Sequence, residues 1–265
     1  MKLVDFHTHC FPDAIAERAV KKLAHDSGGL IPYTDGTVTG LEKSMEQNGV
    51  SLSVVLSIAT NPHQQKKVND FAASINNRSG ICAFGSVFPG APDALYELER
   101  IKSLGLKGVK LHPEYQQFYA DDEKMKPLYK KISELGLITV FHAGQDYGYP
   151  APFHCMPDNL ANALKWFNSP VVAAHFGGLG CSYEVTEKLC GLDVYFDTAC
   201  CCGRIPRDAA LKIVEKHTSK KILFGTDCPW SNASIEMRLI DSLGLSEYEK
   251  NDICFLNAQK LLGII

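Results

Sequence analysis

Short apolar runs alternate along the chain with longer segments whose apolar residues lie three or four positions apart. Such runs are typical of buried strands, and the longer spacing indicates amphipathic helices. The first run, formed by Leu3, Val4 and Phe6, begins almost at the first residue. Seven further strands are predicted at residues 52–59, 81–88, 106–111, 137–142, 171–175, 194–197 and 222–225.

Helices are predicted between these strands and after the last one. Gly105, Gly136 and Gly191 fall where a helix gives way to a strand, as expected of helix C-termini. A loop rich in glycine and threonine, residues 27–40, is long enough to form a rim or lid. The predicted helices cover residues 13–25, 41–47, 62–76, 92–103, 122–135, 157–167, 183–190, 206–217, 235–242 and 246–262.

Several of the strands are nearly unbroken apolar runs, which is typical of a parallel sheet covered on both faces. Eight strands that alternate with helices predict an α/β fold of the (β/α)8 TIM-barrel type. A doubly wound open sheet is the alternative, and the strand count is against it. We expect one domain over residues 1–265.

Composition narrows the class of protein. The 265 residues are 45% hydrophobic and 22% charged, as in an ordinary globular protein, and a net charge of -3 does not favour binding to nucleic acid or an anionic membrane. No apolar run approaches the roughly 20 residues that span a bilayer. The first residues lack the basic and apolar regions of a signal peptide, so we expect a cytoplasmic protein with its ten cysteines reduced.

The sequence His7-Thr8-His9 follows the first strand. Strand side chains alternate between faces, so both imidazoles are expected on one face. Two neutral imidazoles at the end of a buried strand can chelate a divalent metal. Taken alone, the pair also fits a chance match or two hydrogen-bonded core histidines.

Polar side chains recur at the predicted carboxyl ends of the other strands. Five of the nine histidines lie at such ends. In an α/β barrel these ends meet at one face and form the active site. The side chains concerned are His7, His9, Lys110, His112, His142, His175, Asp197 and Asp227.

The motifs HTH, KGVKLHP, VFHAG, AAHFGG and FGTDCPW together resemble the amidohydrolase superfamily, in its amidohydrolase-related branch that also contains decarboxylases. The resemblance spans essentially the whole chain. It implies one divalent metal ion, most often Zn²⁺, bound by His7, His9 and His142, with Asp227 binding the ion or lying beside it. It also implies that His175 is a catalytic histidine.

The TatD-like nucleases share the first histidine pair and the last aspartate. Members of that family carry a bridging glutamate on an intermediate strand, where this sequence has Lys110-Leu111-His112. The nuclease assignment is therefore disfavoured.

The chemistry of these side chains agrees with the resemblance. Imidazoles and a carboxylate are ligands that Zn²⁺ accepts, and they leave a position for water. The ion can lower the pKa of that water to about 7. Asp227 is then suited to take its proton, and His175 to polarise a substrate carbonyl or stabilise the developing oxyanion.

Four other residues admit two interpretations. His112 and Arg204 are each predicted to contact substrate, Arg204 through a carboxylate, although Arg204 fits a solvated loop equally well. Lys110 is expected to form an ion pair with Asp5, in preference to being carboxylated between two metals. Asp197 fits a substrate contact and a hydrogen-bond acceptor equally well.

The sequence therefore predicts a metal-dependent hydrolase that uses activated water on a small molecule with an amide, ester or lactone carbonyl. The alternative is a non-oxidative decarboxylase of an aromatic or unsaturated carboxylic acid at the same metal site. It ranks second because such decarboxylases are typically longer, and an inactive binding protein ranks third. The expected partner is a small-molecule substrate, and a homodimer is left open.

Overall fold

The computed structural model describes residues 2–264, which contain eight parallel strands. The strands are β1 (Leu3–Thr8), β2 (Val50–Leu56), β3 (Ile81–Phe84), β4 (Gly108–Leu111), β5 (Ile138–Phe141), β6 (Val171–Ala173), β7 (Tyr195–Asp197) and β8 (Ile222–Leu223). They form two parallel runs, β1 to β3 and β4 to β8, in sequence order.

Backbone hydrogen bonds join the two runs into a closed cylinder. Between β3 and β4, the Lys110 amide donates to the Gly85 carbonyl at 2.9 Å. Between β8 and β1, the Phe6 amide donates to Phe224 O at 2.8 Å and the Asp227 amide to His7 O at 2.7 Å. The (β/α)8 barrel predicted from the sequence is confirmed.

The helices follow the strands in the predicted alternation. They are α1 (Asp13–Asp26), α2 (Val38–Asn48), α3 (Gln65–Ile75), α4 (Ala94–Ser103), α5 (Pro113–Gln116), α6 (Lys126–Glu134), α7 (Pro157–Leu164), α8 (Ser182–Lys188), α9 (Arg207–His217), α10 (Ala233–Ser242), α11 (Glu247–Asn251) and α12 (Asn257–Leu262). None of the helices within residues 2–264 is both long and apolar enough to cross a membrane.

Several predicted boundaries are wrong. Helix α2 begins at Val38, inside the predicted loop, because the Thr37 hydroxyl caps it by accepting from the Gly40 amide at 2.9 Å. The strands predicted at 52–59 and 81–88 end earlier, at Leu56 and Phe84. Ala59 and Val87, which lie beyond these ends, are fully buried outside the strands, because an apolar pattern indicates burial and does not by itself indicate pairing in a sheet.

Alternate strand positions fill two clusters, one under the helices and one formed mainly by the strands themselves. Phe6 and Phe84 belong to the second cluster and meet edge to face, with ring centroids 5.9 Å apart. Ala258 and Leu262 of α12 pack onto the same cluster. The barrel interior is thus packed below the layer of polar residues, as in other α/β barrels.

Truncation of this interior is expected to destabilise the fold. Phe84 is fully buried, so Phe84→Ala should lower the free energy of unfolding by about 3–5 kcal/mol. Tyr248 is 87% exposed, so the control Tyr248→Ala should change it by less than about 0.5 kcal/mol. Urea denaturation measures both values, and similar losses in the two variants would contradict this assignment of the core.

Candidate active site

A cavity of about 730 Å³ opens at the carboxyl ends of the strands. Its polar lining includes most of the side chains that the strand-end pattern singled out. These are His7, His9, Lys110, His112, His142, His175 and Asp227, together with Arg204 from the loop after β7. Asp197 is fully buried beneath this layer.

The orientation of the His7 ring is set by Asp197. His7 Nδ1 donates to Asp197 Oδ2 at 2.9 Å, so the lone pair of the neutral ring is on Nε2. The other oxygen of Asp197 accepts from the amides of His175 at 2.9 Å and Ala199 at 3.1 Å. Asp197 is therefore a hydrogen-bond acceptor that positions two histidines, the second of the two roles considered for it.

His9 is oriented in the same sense by the backbone. Its Nδ1 donates to Leu56 O at 2.8 Å, which leaves the lone pair on Nε2. Both Nε2 atoms face Asp227 Oδ1, at 3.4 Å from His7 and 3.0 Å from His9. Three lone-pair donors thus converge, with His7, His9 and Asp227 offering ligand atoms within 4.8 Å of one another.

This donor set fits a divalent metal ion. Three converging lone pairs repel one another unless a cation or proton lies among them, and two imidazole nitrogens with one carboxylate oxygen suit Zn²⁺ or a similar ion. The hydrogen bonds on the two Nδ1 atoms are the usual support for metal-binding histidines. The structure brings together three of the four predicted ligands.

The fourth predicted ligand, His142, faces His175 instead. His142 Nδ1 lies 3.1 Å from His175 Nε2. The remaining nitrogens of the two rings donate to backbone carbonyls, His142 Nε2 to Gln145 O at 3.2 Å and His175 Nδ1 to Ala199 O at 2.8 Å. The metal-ligand role of His142 therefore stays a prediction.

His175 and Asp227 have left-handed backbone conformations, with φ values of 61° and 66°. Residues with a side chain seldom adopt this conformation, and they concentrate at functional sites. Here the Asp197 carboxylate holds the His175 amide, and the His7 carbonyl holds the Asp227 amide. The barrel thus stabilises two sharp turns that carry their side chains into the cavity.

The sequence did not single out Asp146, which joins His112 in the wall. His112 Nε2 lies 3.3 Å from Asp146 Oδ2, and the His112 ring stacks between Tyr115 and His142 at centroid distances of 3.7 and 4.2 Å. His112, His142 and Asp146 form a second group whose ligand atoms lie within 4.8 Å. Asp146 follows the strand end by five residues in a Gly- and Tyr-rich loop, so strand periodicity could not locate it.

The expected ion pair between Lys110 and Asp5 is wrong. Asp5 instead accepts from the Thr226 amide at 2.9 Å and the Thr226 hydroxyl at 2.6 Å. Lys110 Nζ lies 3.4 Å from His7 Nε2, and no carboxylate oxygen of residues 2–264 is within 4.0 Å of it. Parity along β1 predicted which residues share a face, but it could not show that Asp5 bonds to the turn after β8.

Arg204 is half-buried and lines the cavity. Its Nη1 donates to Cys200 O at the long distance of 3.4 Å. In the described part of the chain, no carboxylate lies within 4.0 Å of its guanidinium group. A cation without an acidic partner in a cavity wall is suited to bind an anionic ligand.

Burial controls the charge state of the site. It lowers the pKa of His142 and of His175 to about 4 and that of Lys110 to about 8. It also lowers the pKa of His7 well below its usual value, so these imidazoles are neutral and available as ligands.

Comparison with known proteins places these observations in context. A family model described as amidohydrolase matches residues 4–264. No curated protein is significantly similar to the chain.

Solved structures of similar fold include several decarboxylases, among them the following three. The chain is similar to 2,6-dihydroxybenzoate decarboxylase from Rhizobium, with 17% identity, a TM-score of 0.72 and coverage of 100% of this chain and 99% of that one. It is similar to 5-carboxyvanillate decarboxylase from Sphingomonas paucimobilis, with 17% identity, a TM-score of 0.71 and the same coverage. The third is dihydroxybenzoic acid decarboxylase from Polaromonas sp. JS666, with 14% identity, a TM-score of 0.72 and coverage of 99% and 97%, solved with bound manganese and 2-nitroresorcinol.

The hydrogen bond between Asp197 and His7 leads to a prediction about metal affinity. In Asp197→Asn, the amide oxygen can still accept from His175 and Ala199, so the amide NH₂ would face His7 Nδ1 and force the proton onto Nε2. Metal affinity, measured by chelator competition, should fall roughly 10- to 100-fold. Asp193 is 96% exposed, and the control Asp193→Asn should leave the affinity unchanged. Equal affinities in the two variants would refute the proposed orientation of His7.

Proposed function

We propose that this chain, which belongs to the amidohydrolase family, is a metal-dependent, non-oxidative decarboxylase of a small aromatic or unsaturated carboxylic acid. The sequence alone favours hydrolysis over decarboxylation. The composition of the cavity and the fold neighbours together support the reverse order.

The observation that carries the proposal is the lining of the cavity. Apolar side chains form most of its upper wall, and they include Leu23, Leu30, Phe71, Leu179 and Trp230. The polar groups of the strand ends lie together at the floor, and Arg204, Arg18, Lys22 and Lys67 add cationic side chains to the lining. This arrangement suits a flat apolar ring that carries a carboxylate and a further oxygen.

An apolar wall favours the loss of a carboxylate. When the bond between the ring carbon and the carboxylate breaks, the negative charge spreads from two oxygens into the ring. Exclusion of water raises the free energy of the localised carboxylate more than that of the transition state, whose charge is spread out. The activation free energy of decarboxylation is therefore lowered. Hydrolysis has no comparable need for an apolar wall.

The floor supplies the remaining groups. A divalent ion held by His7, His9 and Asp227, with His142 as a further proposed ligand, would supply Lewis-acid polarisation of a substrate oxygen. Nitrogen and carboxylate donors accept Zn²⁺, which remains our prediction, and also Mn²⁺. Arg204 and His112 are proposed to hold the substrate.

His175 is proposed as the proton donor. Its Nδ1 donates to Ala199 O, so Nε2, which lies 3.1 Å from His142 Nδ1, is the atom that can take up and deliver a proton within the cavity. Because burial keeps the ring neutral, Nε2 first accepts a proton from solvent. As the carbon–carboxylate bond breaks, its electron pair forms a carbon–hydrogen bond with that proton, and CO₂ leaves. His175 thereby returns to its neutral form, so atoms and charge balance.

The neighbours add support at the level of reaction class. Three solved structures of similar fold are decarboxylases of hydroxybenzoate-type acids. The chain covers 97–99% of their lengths, so the argument that decarboxylases are too long for this chain loses its force. Hydrolysis at the same floor remains the second candidate.

Product analysis tests the reaction class. We expect the metal-loaded protein to release CO₂ stoichiometrically from 2,6-dihydroxybenzoate or 5-carboxyvanillate in D₂O and to place one deuterium on the ring carbon. A lactone, ester and amide panel in H₂¹⁸O should give no labelled acid. Labelled acid from that panel, with no CO₂ from the carboxylates, would overturn the proposal in favour of hydrolysis.

A matched pair of variants tests the proton donor. His175→Asn should retain metal and lower kcat by roughly 10²–10⁴, the usual contribution of a general acid. His63 is exposed and outside the cavity lining, so His63→Asn should leave kcat unchanged. Loss of metal from His175→Asn would show instead that His175 is a ligand.

A further inference from the structure

Glu236 of α10 is a fully buried carboxylate that lies outside the cavity lining. Its Oε1 accepts from the Ser231 hydroxyl at 2.6 Å. Its Oε2 accepts from two consecutive backbone amides, Cys202 at 2.9 Å and Cys201 at 3.1 Å. A buried carboxylate is costly unless its oxygens are hydrogen-bonded, and here both of them are.

These three bonds connect two loops that form the cavity. Cys201 and Cys202 belong to the loop after β7, which supplies Cys200 and Arg204 to the cavity lining. Ser231 belongs to the loop after β8, which supplies Asp227 and Trp230. Glu236 therefore fixes the substrate-facing loop to the loop that carries a proposed metal ligand.

Arg204 follows closely in sequence after Cys201 and Cys202, whose amides bond to Glu236. The Arg204 amide donates to Cys201 O at 2.9 Å, which closes a single turn. The next residue repeats the pattern, with the Ile205 amide donating to Cys201 O at 3.0 Å. Glu236 thus holds the N–H of both peptide groups that flank Cys201, and the turn that presents Arg204 holds the carbonyl of the second one.

We propose that Glu236 is a positioning residue that holds the turn 200–204 so that the Arg204 guanidinium faces the cavity and binds the substrate carboxylate. We call the three hydrogen bonds of Glu236 to Cys201, Cys202 and Ser231 the clamp. The binding of a substrate carboxylate by Arg204 rests on the proposed function, whereas the clamp does not. Because the effect passes through Arg204, loss of Glu236 should weaken substrate binding more than it slows the chemical step.

Two substitutions at one position separate the clamp from the charge. In Glu236→Gln the amide oxygen can still accept from both cysteine amides, and the Ser231 hydroxyl can rotate to accept from the NH₂ group. Glu236→Ala removes all three bonds. We expect Glu236→Ala of the metal-loaded protein to raise KM for 2,6-dihydroxybenzoate about 10- to 100-fold, with kcat changed less than about threefold. Glu236→Gln should restore KM to within about threefold of the wild-type value.

A double-mutant cycle tests the route through Arg204. Arg204→Ala should raise KM by a similar factor, and adding Glu236→Ala to it should change KM less than about threefold further. Full additivity of the two effects, or a loss in Glu236→Gln as large as in Glu236→Ala, would overturn the proposal. If Glu236→Ala does not fold, Glu236→Asp can be used, because it withdraws the carboxylate by one methylene. It is expected to raise KM by a smaller factor, again with little change in kcat.

Amide exchange tests the clamp without activity. By NMR, the Cys201 and Cys202 amides should exchange at least tenfold faster in Glu236→Ala than in the wild type or in Glu236→Gln. Unchanged exchange at these two amides would overturn the clamp. A wild-type protein with no affinity for any carboxylate probe, but with the expected exchange, would instead refute the proposed function and the Arg204 link while leaving the clamp in place.

Discussion

The organisation of the site depends on the buried carboxylate of Asp197. One of its oxygens accepts a hydrogen bond from His7 Nδ1, and the other accepts from the amides of His175 and Ala199. A single side chain at the end of β7 thereby sets the tautomer of one histidine and the left-handed backbone of another. Without it, His7 Nε2 would not be held as a lone-pair donor beside His9 and Asp227, and the metal site would lose its preorganisation.

The strand-end pattern predicted the barrel and most of the cavity floor because strand period and helix period are encoded locally. The left-handed turns at His175 and Asp227, the one-turn helix after His112 and the contribution of Asp146 were not predictable in this way. Each depends on bonds between loops far apart in the chain. For the same reason parity placed Asp5 on the face of His7 but could not identify Thr226 as its partner.

The reaction class is harder to predict from the sequence than the set of candidate metal ligands. One floor of imidazoles and a carboxylate serves hydrolysis and decarboxylation alike, so the motifs could not decide between them. The wall above the floor is assembled from α1, α3 and the loops after β6 and β8, and its apolar character appears only when these elements meet. The contacts of Glu236 likewise form only in the folded protein, since they join two of the loops that shape the wall.

The central claim is that His7, His9 and Asp227 form the metal centre. Anomalous diffraction from crystals of the metal-loaded protein, collected at the absorption edge of the metal found by elemental analysis, tests it directly. The account predicts one strong anomalous peak between His7 Nε2, His9 Nε2 and the Asp227 carboxylate. A peak confined to the group formed by His112, His142 and Asp146 would contradict it.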